Sequence, residues 1–216
     1  MNWISHNVNN MAELTLTHLW LALSAIAIAT VISVPVGWIA QRFSLGRTAL
    51  LGLISALYAI PSLPMFILVP IITGTSMRSQ ATMVIVLSIY AVAVLTRSCA
   101  DAFGAVSPAA RTSAVAVGYS PWQSFLNVEL PLATPVIIAG LRVAAVSTVS
   151  LVTVGAVVGI KSLGTLFTDG FQRNIVAEVA MGLVLTVVLA LLVDAMVVLL
   201  GRLLTPWTRA RGGVGA

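Results

Sequence analysis

Long stretches without a charged residue are the feature that most constrains this chain. Residues 14–41 contain no Asp, Glu, Lys or Arg, and another uncharged stretch lies between Arg47 and Arg78. A helix crosses the hydrocarbon core of a bilayer with about 20 apolar residues, so each stretch is long enough to span a membrane. Only 8% of the residues are charged, whereas soluble domains carry about 25%. The sequence therefore predicts a protein embedded in a lipid bilayer.

The apolar stretches predict helices rather than strands, because a lipid-facing barrel needs alternating polarity and these segments are apolar on every face. Thr17 is a suitable cap for the first helix. A polar loop at residues 101–131 separates the third stretch from the fourth. We expect one all-α integral membrane domain, residues 1–216, with five spans at about residues 19–40, 48–73, 81–98, 132–159 and 177–200.

Basic residues indicate how the spans are oriented, because Lys and Arg concentrate in cytoplasmic loops. If the first span ends in the cytoplasm, the basic residues left outside are Arg78, Lys161 and Arg173. Those inside are then Arg42, Arg47, Arg97, Arg111, Arg202, Arg209 and Arg211. This orientation places the N-terminus outside and the C-terminus in the cytoplasm. The first residues lack the basic segment and cleavage site of a signal peptide, so none is expected.

Three prolines interrupt the second span: Pro61, Pro64 and Pro70. Each removes a backbone N–H donor and tends to kink or break a helix, and a broken helix must be sheltered from lipid. Broken helices line many transport pathways, so Pro61, Ser62 and Pro64 are candidates for a pathway-lining or gating segment. The alternative is a structural kink packed against neighbouring helices.

The loop at residues 101–131 is too polar to span the membrane and too varied in composition to be a simple linker. A Ser-Pro pair at residues 107–108 can start one helix, and Gly118 can adopt the left-handed conformation that ends it. A second Ser-Pro pair at residues 120–121 repeats the start signal. Pro131 is expected to stop this second helix.

The second loop helix presents Trp122, Phe125 and Leu126 at helical spacing. Aromatic side chains on a short helical hairpin suit insertion into a groove of another protein. An amphipathic hairpin lying on lipid headgroups is the alternative.

A motif in this loop resembles that of a known family. It reads Thr112-Ser113-Ala114-x-x-x-Gly118, followed after nine residues by Val128-Glu129-Leu130-Pro131. This resembles the EAA loop of permeases of binding-protein-dependent ABC importers, Glu-Ala-Ala-x-x-x-Gly-x9-Ile-x-Leu-Pro, with Thr and Ser in the first two positions. The resemblance implies a coupling helix that docks into a cleft of a cytoplasmic ATPase. The implied coupling residues are Thr112, Ser113, Ala114, Gly118, Tyr119, Ser120, Trp122, Phe125, Leu130 and Pro131.

Residues 60–63, 70–74 and 128–142 resemble the osmoprotectant branch of these importers. The resemblance implies a pathway-forming subunit, without enzymatic activity, for a solute such as glycine betaine, choline or carnitine. It also places the chain in the bacterial cytoplasmic membrane. The implied partners are a cytoplasmic ATPase dimer that binds ATP and Mg, a second permease, identical or paralogous, and an extracytoplasmic binding protein. Permeases for methionine, phosphonate or another small solute are alternatives. A stand-alone secondary transporter or channel is the alternative from another class.

Other chemistry is not indicated. The chain has no Gly-x4-Gly-Lys-Ser/Thr phosphate loop, so ATP hydrolysis would need a separate subunit. The 11 Lys and Arg residues are scattered singly, which does not suit nucleic-acid binding. We expect His6 and His18 to be solvated or interfacial near the outer surface rather than metal ligands. Cys99 is expected to be a small buried apolar residue.

Two charged residues lie inside predicted spans, Arg142 in the fourth and Asp194 in the fifth. Charged side chains are costly at the centre of a membrane helix. With 1.5 Å of rise per residue, the two lie about 16 and 12 Å from the cytoplasmic boundary on adjacent antiparallel helices. We predict an Arg142–Asp194 ion pair that fixes the packing of the last two helices. Snorkelling to the surface or pairing elsewhere are the alternatives.

The remaining pathway candidates are hydroxyl and aromatic side chains within the spans. The hydroxyl candidates are Ser147, Ser150 and Thr153, although such groups also bond to carbonyls of their own helix. A quaternary ammonium solute is attracted to aromatic faces. The aromatic candidates are Tyr58, Phe66 and Tyr90, with ordinary packing as the alternative.

Overall fold

The structure is a computed structural model that describes residue 3, residues 6–42 and residues 44–207, with the backbone alone for residues 44–47. Two of the basic residues used for the orientation, Arg209 and Arg211, lie outside the described residues. Every regular element in the described ranges is a helix, which confirms the all-α prediction.

Nine α-helices and two other helical turns account for most of the described residues. The α-helices are α1 (Val8–Arg42), α2 (Ser44–Ala59), α3 (Ser62–Thr73), α4 (Gln80–Gly104), α5 (Pro108–Ala116), α6 (Pro121–Ser124), α7 (Leu130–Val152), α8 (Gly164–Gln172) and α9 (Val176–Leu204). A π-helical turn, Phe125–Glu129, joins α6 to α7, and a 3-10 turn, Thr153–Val158, follows α7.

Helices α1 and α4 pack side by side and run in the same direction. The Thr96 hydroxyl donates to the Ser33 hydroxyl over 3.1 Å. Further along both helices, Gly37 lies so close to α4 that an added Cβ would be 2.5 Å from the Cβ of Cys99. Both helices therefore end at the same end of the bundle, which we call the loop end because it also carries α5 and α6.

Helices α7 and α9 are antiparallel to each other. Helix α7 begins at the loop end, where it continues from α6, and runs to the opposite end, which we call the far end. Helix α9 runs back along it, since Asp194 contacts Arg142 and the later residue Gly201 packs on the earlier residue Ile138. The two described ends of the chain thus lie at opposite ends of the bundle.

The segment between α1 and α4 crosses the bundle as a bent pair. Helix α1 ends at the loop end and α4 begins at the far end, so α2 and α3 connect the two. Their axes differ by 108°, with the break at Ile60 and Pro61. Helix α2 has 16 residues and α3 has 12, and a straight span needs about 20. Four helical segments are long and apolar enough to span alone, and the bent pair, counted as one span, makes five crossings. The second crossing is broken as its prolines predict.

Pro131 does not end the second loop helix, contrary to the sequence prediction. Helix α6, the π turn, α7 and the 3-10 turn continue as one helical rod, Pro121–Val158. Within the π turn, the Leu130 N–H donates to the Phe125 carbonyl five residues earlier. This wider turn admits the proline ring, whose missing N–H matters little at the start of a new helical segment. The fourth crossing is consequently an extension of the loop itself.

Candidate functional site

Helix α5 begins and ends where the sequence predicts. It spans Pro108–Ala116, and Gly118 has a φ of +90°, a left-handed conformation that glycine adopts readily after a helix. The Thr112 hydroxyl donates to the Pro108 carbonyl over 3.0 Å within the helix. Ala114 is buried, whereas Thr112 and Ser113 are exposed. The motif residues therefore lie on two different sides of α5.

Helix α6 is held by a capping box at its first residues. The Ser120 hydroxyl accepts the Gln123 N–H over 3.3 Å, and the Gln123 side-chain oxygen accepts the Ser120 N–H over 2.9 Å. These reciprocal bonds satisfy two donors that a helix start leaves open. Together with Gly118, they define a two-helix hairpin rather than an irregular loop.

An aromatic cluster, Trp38, Phe103, Trp122 and Phe125, joins the hairpin to the membrane helices. The Phe125 ring centroid lies 4.6 Å from that of Trp38, 5.1 Å from Trp122 and 5.8 Å from Phe103. Such distances are favourable for aromatic pairs. Because Phe125 is only 4% exposed, it anchors the hairpin to α1 and α4 instead of extending from the hairpin surface. Its role in coupling to an ATPase stays a prediction.

Glu129 forms a second anchor, which sequence reasoning missed. Its side chain is 3% exposed and contacts two arginines, with 3.1 Å from Oε1 to Arg42 Nη2 and 3.1 Å from Oε2 to Arg111 Nε. Arg111 also donates to the Phe103 carbonyl. One carboxylate in the π turn therefore links α1, α5 and the helical rod that continues into α7. The sequence gives one signal for this anchor, which is that Glu129 is one of only six acidic residues in the chain.

The exposed surface of the hairpin is apolar and aromatic. Its most accessible large side chains are Val115, Val117, Tyr119, Trp122 and Leu126. Leu130 and Pro131 are half-buried where the π turn enters α7. The hairpin is fixed to the membrane helices and its exposed surface is apolar, which suits contact with another protein.

A cavity of about 310 Å³ opens beside the break between α2 and α3. We call it the Tyr58 cavity. The rings of Tyr58 and Tyr90 meet edge to face, with centroids 6.0 Å apart, and the Tyr90 hydroxyl donates to the Ile60 carbonyl at the break. The predicted pathway residues that line it are Tyr58, Pro61, Ser62, Tyr90 and Ser147.

Other pathway candidates lie elsewhere. Pro64 is exposed on α3 and does not line the Tyr58 cavity. Phe66 is 1% exposed within the core, which favours ordinary packing, the alternative given for this ring. The Thr153 hydroxyl donates to the Ser150 carbonyl over 2.7 Å, so Thr153 makes the backbone bond that is the alternative to a pathway role.

Arg142 and Asp194 are in direct contact. Arg142 Nε lies 2.7 Å from Asp194 Oδ1 and Arg142 Nη2 lies 2.8 Å from Oδ2, a bidentate geometry. Their side chains are 47% and 23% exposed. They line an open groove of about 760 Å³ between α7 and α9, which we call the Arg142 groove and which also contains Ser147, Ser150 and Thr186. Whether this pair fixes helix packing remains a prediction.

His18 does not have the interfacial environment that the sequence predicts. It is fully buried between α1 and α7, and its Nε2 lies 2.9 Å from the Val149 carbonyl. His6, in contrast, is exposed. The position of His18 next to an apolar stretch gave no indication of which helix face it occupies.

Five helical crossings and a hairpin anchored at one end of the bundle define a multi-pass membrane protein. Residues 33–209 match the family of binding-protein-dependent transport system inner membrane components. The chain belongs to this family. It is a permease subunit of the bacterial cytoplasmic membrane and not an enzyme, because ATP hydrolysis in ABC importers resides in a separate subunit.

Relatives and solved structures agree with this assignment. The chain is 29% identical over 211 residues to the osmoprotectant import permease protein OsmW of Salmonella typhimurium, covering 95% of this chain and 97% of that one. It is 27% identical over 206 residues to the carnitine transport permease protein OpuCB of Listeria monocytogenes, covering 95% and 93%. An inward-facing structure of the MetNI methionine ABC transporter has a TM-score of 0.80 at 20% identity, covering 90% and 95%. That likeness shows the fold.

Proposed function

We propose that this chain forms the membrane pathway of an ATP-driven importer for a small osmoprotectant such as glycine betaine, choline or carnitine. The observation that carries the proposal is the anchoring of the hairpin. Phe125 and Glu129 tie it to the membrane helices, while Val117 and Trp122 remain exposed for a partner. Movement of a docked protein can thereby reach the pathway. Relatives matched along nearly the whole chain are named for osmoprotectant or carnitine transport, which supports the solute class.

The proposed assembly contains two permeases, identical or paralogous, and two ATP-binding-cassette subunits that bind ATP and Mg. An extracytoplasmic binding protein delivers the solute to the far end. The loop end faces the cytoplasm in this proposal, because cytoplasmic surfaces are enriched in basic residues. The basic residues on the loop-end half are Arg42, Arg47, Arg97, Arg111 and Arg202, against Arg78, Lys161 and Arg173 at the far end.

The Tyr58 cavity is the proposed passage for the ammonium group of the solute. Its two tyrosine rings offer aromatic faces and edges in the broken crossing, and a quaternary ammonium is attracted to such faces. Its volume of about 310 Å³ is at the lower end of the range for small-molecule sites. Because Tyr90 also bonds to the Ile60 carbonyl, movement of the α2–α3 break would move this ring.

The docking role is tested by placing a charge on the exposed hairpin surface. Val117→Asp changes a side chain that is 77% exposed, and we expect it to prevent ATPase binding because an unpaired carboxylate would be buried in an apolar contact. Val176→Asp at the far end is the matched control, since Val176 is also 77% exposed. The measurements are co-purification of the cognate ATPase and ATP-dependent uptake of labelled glycine betaine into proteoliposomes.

We expect Val117→Asp to lose both signals and Val176→Asp to keep ATPase binding. Equal behaviour of the two variants would contradict docking at the hairpin. Solute uptake by the chain alone, without an ATPase, would favour the stand-alone transporter or channel. ATP-dependent uptake of methionine, with none of glycine betaine, choline or carnitine, would keep the importer and replace the solute class.

A further inference from the structure

The Arg142–Asp194 pair occupies an unusual position for charged groups. Arg142 lies twelve residues after the first residue of α7, and Asp194 lies ten before the last residue of α9. At 1.5 Å per residue these positions are about 18 and 15 Å from the loop-end limits of the two helices, deep within the crossings. Yet 47% of the Arg142 side chain is exposed. A charged pair this open is not accommodated by hydrocarbon, so this face is turned toward water or protein.

Around the pair, the groove carries hydroxyl groups on a lining that is otherwise mostly apolar. The Arg142 groove has a volume of about 760 Å³ and contains the hydroxyls of Ser147, Ser150 and Thr186. Ser147 and Ser150 are exposed. Purely lipid-facing surfaces have no need of such groups, whereas a groove that admits water and solute does.

The groove adjoins the Tyr58 cavity. Ser147 lines both of them, because it lies between two neighbouring stripes on the surface of α7. Ala144, Thr148 and Leu151 face the cavity, whereas Arg142, Val146 and Ser150 face the groove. The five residues from Arg142 to Ser147 correspond to about 7.5 Å along the helix. A small solute at Arg142 would therefore move only this distance along α7 to reach Ser147 at the edge of the Tyr58 cavity.

The chemistry of the pair matches a particular class of solute. A guanidinium binds a carboxylate through two parallel hydrogen bonds, and a carboxylate such as that of Asp194 attracts an ammonium group. The pair carries no net charge. If a zwitterion inserts between Arg142 and Asp194, its carboxylate takes the place of Asp194 beside Arg142. Its ammonium group takes the place of Arg142 beside Asp194, so no charge is left unpaired.

We propose that the Arg142 groove is a solute site for zwitterions that carry a carboxylate and a quaternary ammonium, as glycine betaine does. Arg142 exchanges the Asp194 carboxylate for that of the solute, and Asp194 receives the ammonium before it passes Ser147 toward the Tyr58 cavity. This inference rests on the proposed osmoprotectant function. It makes Arg142 and Asp194 a pair that opens in each transport cycle.

The test compares two solutes in the complete transporter, reconstituted with its ATPase and binding protein. Glycine betaine has a carboxylate and choline has none, while both carry a quaternary ammonium. We expect Arg142→Gln to lower glycine betaine uptake about tenfold relative to choline, the size of effect for a lost charge-assisted hydrogen bond. Asp194→Asn should lower uptake of both solutes by a similar factor, because both ammonium groups lose their counter-charge.

The outcomes separate a solute site from a structural pair. If both substitutions lower both solutes equally while the assembly stays intact, the pair is structural and the inference is overturned. If the unsubstituted transporter imports neither solute, the proposed function fails and the inference fails with it. If it imports both and Arg142→Gln leaves their ratio unchanged, only the inference is lost.

A second measurement asks whether the groove is open in the assembled transporter. Val143 lines it and is 60% exposed, so Val143→Cys is introduced in a Cys99→Ala background. We expect a water-soluble maleimide to label this thiol and glycine betaine to slow the labelling. A thiol that stays unlabelled because a second permease covers the groove would overturn the proposal.

Discussion

Two acid–arginine contacts in this chain differ in almost everything except their chemistry. Glu129 is 3% exposed, binds two arginines and joins three elements at the loop end. Asp194 is 23% exposed, binds the single partner Arg142 and joins only α7 and α9. A buried acid with several partners has no alternative ligand and keeps its geometry. An open pair can exchange a partner for solute or water, so burial distinguishes a fixed joint from an adaptable site.

The same contrast extends to the aromatic residues. Phe125 is enclosed by three other rings of the aromatic cluster, whereas Tyr58 is 53% exposed and contacts Tyr90 at the edge of a cavity. At the loop end, aromatic area is used for rigid packing. In the middle of the bundle, aromatic area is left accessible. The comparison predicts that substitutions at the loop end affect stability and that substitutions in the groove affect selectivity.

The largest effect is expected for Phe125→Ala. Removing a buried aromatic side chain costs about 3 kcal/mol, because its packing is lost and a cavity remains. The thermal stability of the purified permease reports this loss. Trp122→Ala is the control, since Trp122 belongs to the same cluster but is 58% exposed. A loss for Trp122→Ala as large as that for Phe125→Ala would show that burial does not distinguish the two rings.

A smaller loss is expected for Glu129→Gln. We expect roughly 2 kcal/mol, less than for a fully buried pair, because the two arginines keep partial access to solvent. The arginine side chains are 40% and 36% exposed. In the transporter assembled with this variant, ATP hydrolysis by the ATPase subunits should depend more weakly on solute-loaded binding protein, since the hairpin would be less firmly joined to α1. Glu13→Gln, at an exposed acid on α1, should change neither quantity.

The smallest effect on stability is expected for the double substitution Arg142→Gln with Asp194→Asn. An open pair in water contributes little to stability, and the two amides fill a similar volume. The melting temperature of the purified permease should stay close to that of the unsubstituted protein. A pronounced decrease would mean that the pair holds α7 against α9, and the contrast with Glu129 would then disappear.

Local signals and helix geometry account for what could be predicted from the sequence. The Ser-Pro starts and Gly118 determine the hairpin because capping depends on a few adjacent residues. The Arg142–Asp194 contact was predictable because a helix has a fixed rise, which sets the depth of each residue once the boundaries are known. The five crossings followed from the lengths of the uncharged stretches.

Features that depend on how distant elements meet could not be predicted. Glu129 has partners at the end of α1 and in α5, and nothing near it in sequence specifies both. His18 is buried because Val149 of α7 lies opposite it. Pro131 predicts a helix stop from sequence because proline lacks an N–H donor, but the π turn before it removes the conflict. In each case the tertiary arrangement outweighed the local preference.

The continuous helix from Pro121 to Val158 makes the hairpin one arm of a lever. Its 38 residues extend over about 57 Å at the rise of an α-helix. A tilt of about 10° applied at Pro121 would therefore displace the other tip by about 10 Å if the rod stayed straight. In the proposed transporter, a small tilt imposed by an ATPase docked at the loop end would therefore be large enough to widen or narrow an opening at the far end.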